Sequence, residues 1–122
     1  MHIGAVADDF TGATDLATTL QARGMRAAVV VEDRPVDAVE LADVDAVVVA
    51  LKSRTAPVDE AVADSIAALD RLLGWGAERV YVKYCSTFDS TDRGNIGPVL
   101  DAVRERLGVD RAVVVPSFPA NG

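Results

Sequence analysis

Residues 2–15, HIGAVADDFTGATD, contain a strand, a turn and the start of a helix, and they decide which class of fold the chain adopts. The apolar run at 2–7 predicts a β-strand buried on both faces. Two adjacent carboxylates, Asp8 and Asp9, follow the strand and precede a helical pattern that begins near Gly12. Adjacent carboxylates repel each other, so a cationic or hydrogen-bonding partner is expected nearby. Either one of them caps the helix, or the pair holds a ligand that needs negative charge.

The alternation of short apolar strand and amphipathic helix continues along the chain. Strands are predicted at 2–7, 26–31, 46–51, 79–85 and 111–117. Helical patterns lie between them: one that ends before Gly24, a short one near 36–42, one at 57–73 and one near 96–107. Near-continuous apolar strands that alternate with helices are typical of a doubly wound parallel α/β sheet with helices on both faces.

The length and the C-terminal residues bear on domain organisation. The chain has 122 residues, which is the size of one domain. The sequence stops a few residues after the fifth predicted strand, with no helix to cover that strand. We therefore expect residues 1–122 to be the front part of a longer domain, truncated after the fifth strand.

Composition excludes some classes of partner. The net charge is −7, and nucleic acid or an anionic membrane surface would require a basic face. A small anionic ligand is still compatible with this charge, because its site needs only two or three local cations. The single cysteine, Cys85, cannot form an internal disulfide, and no secretory signal is visible, so a cytoplasmic location is predicted.

Unusual polar residues follow the predicted strands at the points where the strands end. Asp8 and Asp9 follow the first strand, Arg54 follows the third, and Lys83 ends the fourth, just before the polar segment at 85–97. Because ligands of open parallel α/β sheets bind outside the carboxyl ends of the strands, these groups are expected to converge on one edge.

Each of these groups also has a purely structural interpretation. Asp9 or Thr11 would cap the first helix, and Arg54 would form a surface salt bridge. Asn95 would cap the third helix after a polar loop, but capping does not explain the many hydroxyl groups at 86–91. In the functional interpretation, Arg54 and Lys83 pair with the two carboxylates or with an anionic ligand.

Three motifs resemble a known family. ADDFTGATD at 7–15, KYCSTFDSTDRGNIGPV at 83–99 and VPSFPANG at 115–122 are similar to the N-terminal domain of the four-carbon acid sugar kinases. The central motif looks most like the 3-oxo-tetronate kinase branch of that family. The resemblance implies an ATP-dependent enzyme that phosphorylates the terminal hydroxyl of a four-carbon sugar acid. It also implies a C-terminal domain, absent from this chain, that supplies most of the ATP site, with Mg²⁺ arriving on ATP.

The same resemblance assigns roles to particular residues. Asp8 and Asp9 correspond to an acidic pair that contacts substrate hydroxyls, and one of them is expected to act as the catalytic base. Arg54 and Lys83 are expected to bind the carboxylate of the substrate. The remaining substrate-binding residues implied by the motif are Ser86, Thr87, Asp89, Ser90, Thr91, Gly94, Asn95 and Gly97. No metal ligands are predicted in the chain itself. The competing prediction is a small-anion-binding domain, or an inactive fragment, without catalytic activity.

Overall fold

A four-stranded parallel sheet forms the centre of the molecule in a computed structural model, which describes residues 1–84 and 94–111. The strands are β1 (Ile3–Ala7), β2 (Ala27–Val31), β3 (Ala46–Ala50) and β4 (Arg79–Lys83). The helices are α1 (Phe10–Ala22), α2 (Val58–Gly74) and α3 (Ile96–Leu107), with a 3₁₀-helix at Ala38–Leu41. The strand order is β2-β3-β1-β4, and every pairing is parallel.

Helices cover both faces of this sheet, which confirms the predicted α/β class. All five residues of β3 are buried, as expected for a central strand without alternation. On one face, Ala5, Ala7 and Ala50 pack with Ala13 and Ala17 of α1. On the other face, the buried core contains Val6, Val47, Val49, Leu51, Ala68 and Leu72, the last two from α2. Consecutive strand residues therefore point to opposite helical layers.

The glycines end the helices as the sequence predicts. Gly24, Gly76 and Gly108 have φ values of 87°, 92° and 68°, which favour glycine over any residue with a Cβ atom. The short helix predicted near 36–42 is a single 3₁₀ turn. The fifth predicted strand, 111–117, falls almost wholly outside the described residues. In the described part of the chain, no helix has both the length and the apolarity needed to cross a membrane.

Glu32, which follows β2, lies near the carboxylates of Asp33 and of Asp64 in α2. Burial is the largest cause that raises the pKa of Glu32. The negative charges of Asp64 and Asp33 and a hydrogen bond with Asp64 raise it further. Lys52 acts in the opposite direction. Because the pKa of Glu32 is higher in the folded than in the unfolded protein, its contribution to the free energy of unfolding is fully present below the unfolded pKa. This contribution is lost as the pH rises through the folded pKa, because the carboxyl group then ionises beside Asp64 and Asp33.

The substitution Glu32→Gln is expected to remove this pH dependence. The neutral amide keeps a hydrogen-bonding group beside Asp64 and relieves the repulsion, so the free energy of unfolding at pH 7 should rise. The gain should be only a few tenths of a kcal/mol, because solvent screens a partly exposed group. Urea unfolding between pH 4 and pH 8 measures the effect, with Glu40→Gln in the 3₁₀-helix as the control. If the free energy of unfolding of Glu32→Gln depends on pH as steeply as that of the wild-type protein, Glu32 is not the source of the pH dependence.

Candidate functional site

The backbone brings the loop after β3 against the end of β1. The carbonyl oxygen of Asp8 accepts hydrogen bonds from the N–H groups of Ser53 (3.0 Å) and Arg54 (3.2 Å). The N–H of Asp8 donates to the carbonyl oxygen of Lys83 at 3.1 Å, which joins the end of β4 to the same point. The carboxyl ends of three strands therefore meet at Asp8, as the polar residues of the sequence predict.

Arg54 bridges the two carboxylates that follow β1. Its Nε and Nη2 donate to Oδ2 and Oδ1 of Asp8 at 3.2 and 2.8 Å, which is a bidentate pair. Its Nη1 lies 3.0 Å from Oδ2 of Asp9. The Asp8 side chain is only 18% exposed and that of Arg54 only 31%, so solvent screens this pair less than a surface ion pair. The cationic partner expected for the adjacent carboxylates is Arg54.

Asp9 also caps α1. Its backbone is extended (φ −150°, ψ 167°), and its Oδ1 accepts the N–H of Gly12 at 2.6 Å. A Cβ atom on residue 12 would lie 2.8 Å from that oxygen, so a glycine at this position allows the cap to form. Of the two structural interpretations, capping by Asp9 is confirmed, and the same carboxylate still reaches Arg54.

A cavity of about 320 Å³ opens beside this bridge. Asp8 and Arg54 supply its charged groups, whereas Val6, Val82 and Val99 form apolar parts of its wall. The other lining residues are Ser53, Thr55, Ala56, Ser65, Tyr84, Gly94, Asn95 and Ile96. A concave site with mostly apolar walls and a few converging polar groups is typical of small-molecule binding.

Asn95 holds the loop that carries Arg54. Its Nδ2 donates to the carbonyl oxygens of Ser53 at 2.7 Å and Ala56 at 2.8 Å, with a longer contact of 3.4 Å to that of Arg54. Asn95 occupies the N-cap position of α3, but its side chain makes no capping hydrogen bond. The capping interpretation of this side chain is therefore wrong. The backbone of Asn95 is helical (φ −90°, ψ −12°) rather than extended, and the hydrogen bonds from Nδ2 orient the side chain toward the loop.

Two other predicted residues lie apart from the cavity wall. Lys83 is paired in register with Ala7, whose side chain faces α1, so its own side chain lies on that face of the sheet. Its Nζ lies near Gly12 and donates to the carbonyl oxygen of Tyr84. Gly97 is exposed within α3 and is not among the lining residues, whereas Gly94 is. The structure thus brings together Asp8, Arg54, Gly94 and Asn95, with Asp9 attached through Arg54.

The remaining predicted residues are not described. Ser86, Thr87, Asp89, Ser90 and Thr91 lie in 85–93, outside the described residues. Their substrate-binding role stays a prediction.

Sequence reasoning missed Ser65, a buried residue of α2 that lines the cavity. The signal was present in the sequence. Position 65 falls on the inner stripe of α2 with Ala61, Ala68, Leu69 and Leu72, and it is the polar member of that stripe. Tyr84, another lining residue, follows β4 directly and was also missed.

Mg²⁺ does not fit the described residues. In residues 1–84 and 94–111, no group of three acidic, histidine or cysteine side chains is placed to hold a metal ion. Asp8 and Asp9 are the best candidates by type, but both carboxylates already pair with Arg54. A hard cation that prefers several oxygen ligands would have to displace that guanidinium.

The model of the sugar-binding N-terminal domain family matches residues 3–122. The chain belongs to this family. This match, together with the relatives described below, confirms the resemblance to the N-terminal domain of four-carbon acid sugar kinases. This sugar-binding domain spans less than a third of the length of the curated relatives that it matches.

Those relatives carry one description. The domain is 54% identical over 121 residues to a 3-oxo-tetronate kinase of Cupriavidus necator, covering 98% of this chain and 28% of the relative. It is 53% identical over 123 residues to a 3-oxo-tetronate kinase of Pseudomonas fluorescens, with the same coverage. A third 3-oxo-tetronate kinase, from Brucella melitensis, is 49% identical over 123 residues and covers all of this chain and 28% of the relative.

Two solved structures share the fold. A crystal structure from Salmonella typhimurium, provisionally described as a tRNA synthase, has a TM-score of 0.92 and 46% identity over 99% of this chain and 29% of its own. A Haemophilus influenzae protein has a TM-score of 0.88 and 44% identity over 98% of this chain and 28% of its own. At these identities the likeness extends beyond topology to sequence.

Proposed function

We propose that the full-length protein carrying this domain is an ATP-dependent kinase that phosphorylates the terminal hydroxyl of a four-carbon sugar acid such as 3-oxo-tetronate. The domain supplies the sugar-acid side of the site. The observation that carries this proposal is the Asp8–Arg54–Asp9 bridge beside a cavity at the carboxyl ends of the strands. The names of the relatives supply the reaction and the substrate class.

Asp8 is the better of the two carboxylates for the role of general base. It lines the cavity, whereas Asp9 is engaged in capping α1. Both oxygens of Asp8 accept from Arg54, which fixes the plane of the carboxylate. Each oxygen has a second lone pair, so a substrate hydroxyl can donate to Asp8 without displacing the arginine. In phosphoryl transfer, such positioning of the nucleophile contributes most of what the protein can provide.

The charges at the site define what else the substrate needs. One guanidinium faces two carboxylates, so these three groups carry a net charge of −1. A sugar-acid carboxylate therefore requires further donors besides Arg54. Lys83 was predicted to bind this carboxylate, and the hydroxyl groups at 86–91 were predicted to orient the substrate. We keep both as proposed contacts, with Lys83 acting from the α1 side of the sheet rather than from the cavity wall. The ATP site is proposed to lie mainly in the C-terminal domain, and no step is assigned to Mg²⁺ on the described residues.

Arg54→Lys tests whether the fork geometry of the guanidinium matters. Lysine keeps the positive charge but cannot form the bidentate pair with Asp8 while also reaching Asp9. We expect the KM for the acid to rise and kcat/KM to fall by roughly 10²-fold. Steady-state kinetics of the full-length protein measure both constants. The matched control is Arg26→Lys, whose guanidinium pairs with Asp45 at the opposite edge of the sheet. An unchanged KM in Arg54→Lys would contradict the role of Arg54 in substrate binding.

The description of one solved relative as a tRNA synthase suggests a different activity. A tRNA-binding surface needs many Lys and Arg side chains against the phosphates, and this domain has a net charge of −7. The charge therefore favours a small anionic substrate for this domain.

The deciding experiment is an ATP-consumption assay of the full-length protein with a panel of four-carbon acids. The panel contains 3-oxo-tetronate, threonate, erythronate and succinate, the last as a four-carbon acid without a hydroxyl group. We expect ADP formation with at least one sugar acid and none with succinate, with the product phosphorylated at the C4 oxygen by ³¹P NMR. Binding of a sugar acid without ADP formation would instead support the small-anion-binding alternative.

A further inference from the structure

Ser65 stands out because of where it is buried. It is 1% exposed and lies on the face of α2 that packs against the sheet. The neighbours on this face are Ala61, one turn before it, and Ala68 and Leu69, one turn after it. Alanine fits this layer and favours a helix more than serine does. Packing and helix propensity therefore give no reason for a hydroxyl group at position 65.

A buried hydroxyl group is costly without a hydrogen-bond partner. Such a group needs a partner in the protein or in a molecule bound beside it. What the residue does meet is the cavity, which it lines together with Val6 on β1 and Val82 on β4. In this mostly apolar part of the wall, the hydroxyl group is a directional polar contact for a molecule in the cavity.

The chemistry of the cavity limits what such a molecule can be. Asp8 and Arg54 lie in the same wall and suit groups that carry charge or donate protons. A hydroxyl group is neutral and can both donate and accept, so it suits a ketone or hydroxyl oxygen. A four-carbon sugar acid has its charge at C1, its reacting hydroxyl at C4, and neutral oxygens at C2 and C3.

We propose that Ser65 is a specificity-determining residue whose hydroxyl group hydrogen-bonds to the oxygen on C2 or C3 of the bound acid. The proposal rests on the sugar-acid binding put forward above. Sites that hydrogen-bond a substrate oxygen reject analogues that lack it, because the buried polar group is then left unpaired. Ser65 thus distinguishes sugar acids from simple hydroxy acids of the same length.

The test compares two ligands on two variants of the full-length protein. Isothermal titration calorimetry gives Kd for 3-oxo-tetronate and for 4-hydroxybutanoate, which lacks oxygens on C2 and C3. In Ser65→Ala, we expect Kd for 3-oxo-tetronate to rise about three- to tenfold and Kd for 4-hydroxybutanoate to stay unchanged. The melting temperature should stay equal or rise, because alanine favours a helix more than serine does. Thr19→Val, which removes an exposed hydroxyl group from α1, is the control and should alter neither Kd.

The outcomes separate this proposal from the proposed function. Equal changes for both ligands, or none, would overturn the role of Ser65, and a lower melting temperature with equal changes would indicate a structural role. If Ser65→Ala weakens binding of 3-oxo-tetronate alone, but the wild-type protein consumes no ATP, the role of Ser65 is supported and the proposed kinase activity is overturned. If the wild-type protein binds no sugar acid, both proposals fail.

Discussion

Asp8→Asn is expected to lower kcat of the full-length protein for its sugar acid by about 10²–10⁴-fold, the usual contribution of a general base. Asparagine has nearly the same shape, but its amide cannot take a proton from the attacking hydroxyl. It also replaces one oxygen that accepts from Arg54, so the bidentate pair is lost. Steady-state kinetics with saturating ATP measure the effect on kcat and KM separately.

Asp9→Asn is the matched comparison at the neighbouring carboxylate. Asparagine is as good an N-cap as aspartate, so α1 should remain capped and the melting temperature should stay close to that of the wild-type protein. We expect kcat to remain within about tenfold of the wild-type value, because a cap is not a base.

Asp45→Asn controls for the loss of an Asp–Arg pair as such. Asp45 pairs with Arg26 at the amino-terminal edge of the sheet, away from the cavity. This variant should leave kcat unchanged. A larger loss in Asp9→Asn than in Asp8→Asn would reverse the assignment of the base, and near-wild-type kcat in both would remove it.

Asn95→Ala is expected to lower kcat/KM by roughly 10²-fold, although Asn95 need not touch the substrate. The substitution removes the hydrogen bonds to the carbonyl oxygens of Ser53 and Ala56, so the loop that places Arg54 is held less firmly. Small displacements of a positioning group reduce rates by this order of magnitude. The free energy of unfolding should fall by about 1–3 kcal/mol, because partly buried carbonyl groups lose their donor.

Asn95→Asp separates positioning from direct contact with the substrate. The carboxylate has no donor and would face the same loop carbonyl oxygens, so kcat/KM should fall at least as far as in the alanine variant. Gln21→Ala is the control, since Gln21 donates its side-chain amide to the carbonyl oxygen of Ala27 on the exposed surface. A wild-type kcat/KM in both Asn95 variants would show that the loop is held without this side chain.

The fold was largely predictable because its signals are local. Each buried strand reads as an apolar run, and each helix has an apolar stripe and a glycine at its end. The carboxyl ends of parallel strands must lie at one edge, so Asp8 and Arg54 could be expected to converge although 46 positions separate them. The face of the sheet on which each side chain at this edge lies was not predictable. Lys83 belongs to the same edge but faces α1, because the register pairs it with Ala7.

The role of Asn95 shows the limit of local inference most clearly. Its position before α3 and its residue type both predict a cap, and it does occupy the N-cap position. Its amide nevertheless donates to carbonyl oxygens about 40 residues earlier, because the packing of α3 against α2 brings that loop within reach. A sequence lists such donors and acceptors without showing which of them meet.

The sequence by itself determined the α/β class, the helix ends and the family, because hydrophobic period, turn chemistry and motifs act over a few residues. The tertiary structure alone decided that Arg54 pairs with both Asp8 and Asp9, and that Ser65 lies on the cavity wall. Of the two carboxylates after β1, Asp9 caps α1 and Asp8 lines the cavity. Hydrogen bonds and ion pairs depend on ångström distances between segments far apart in the chain, and only the packing of helices on the sheet sets those distances.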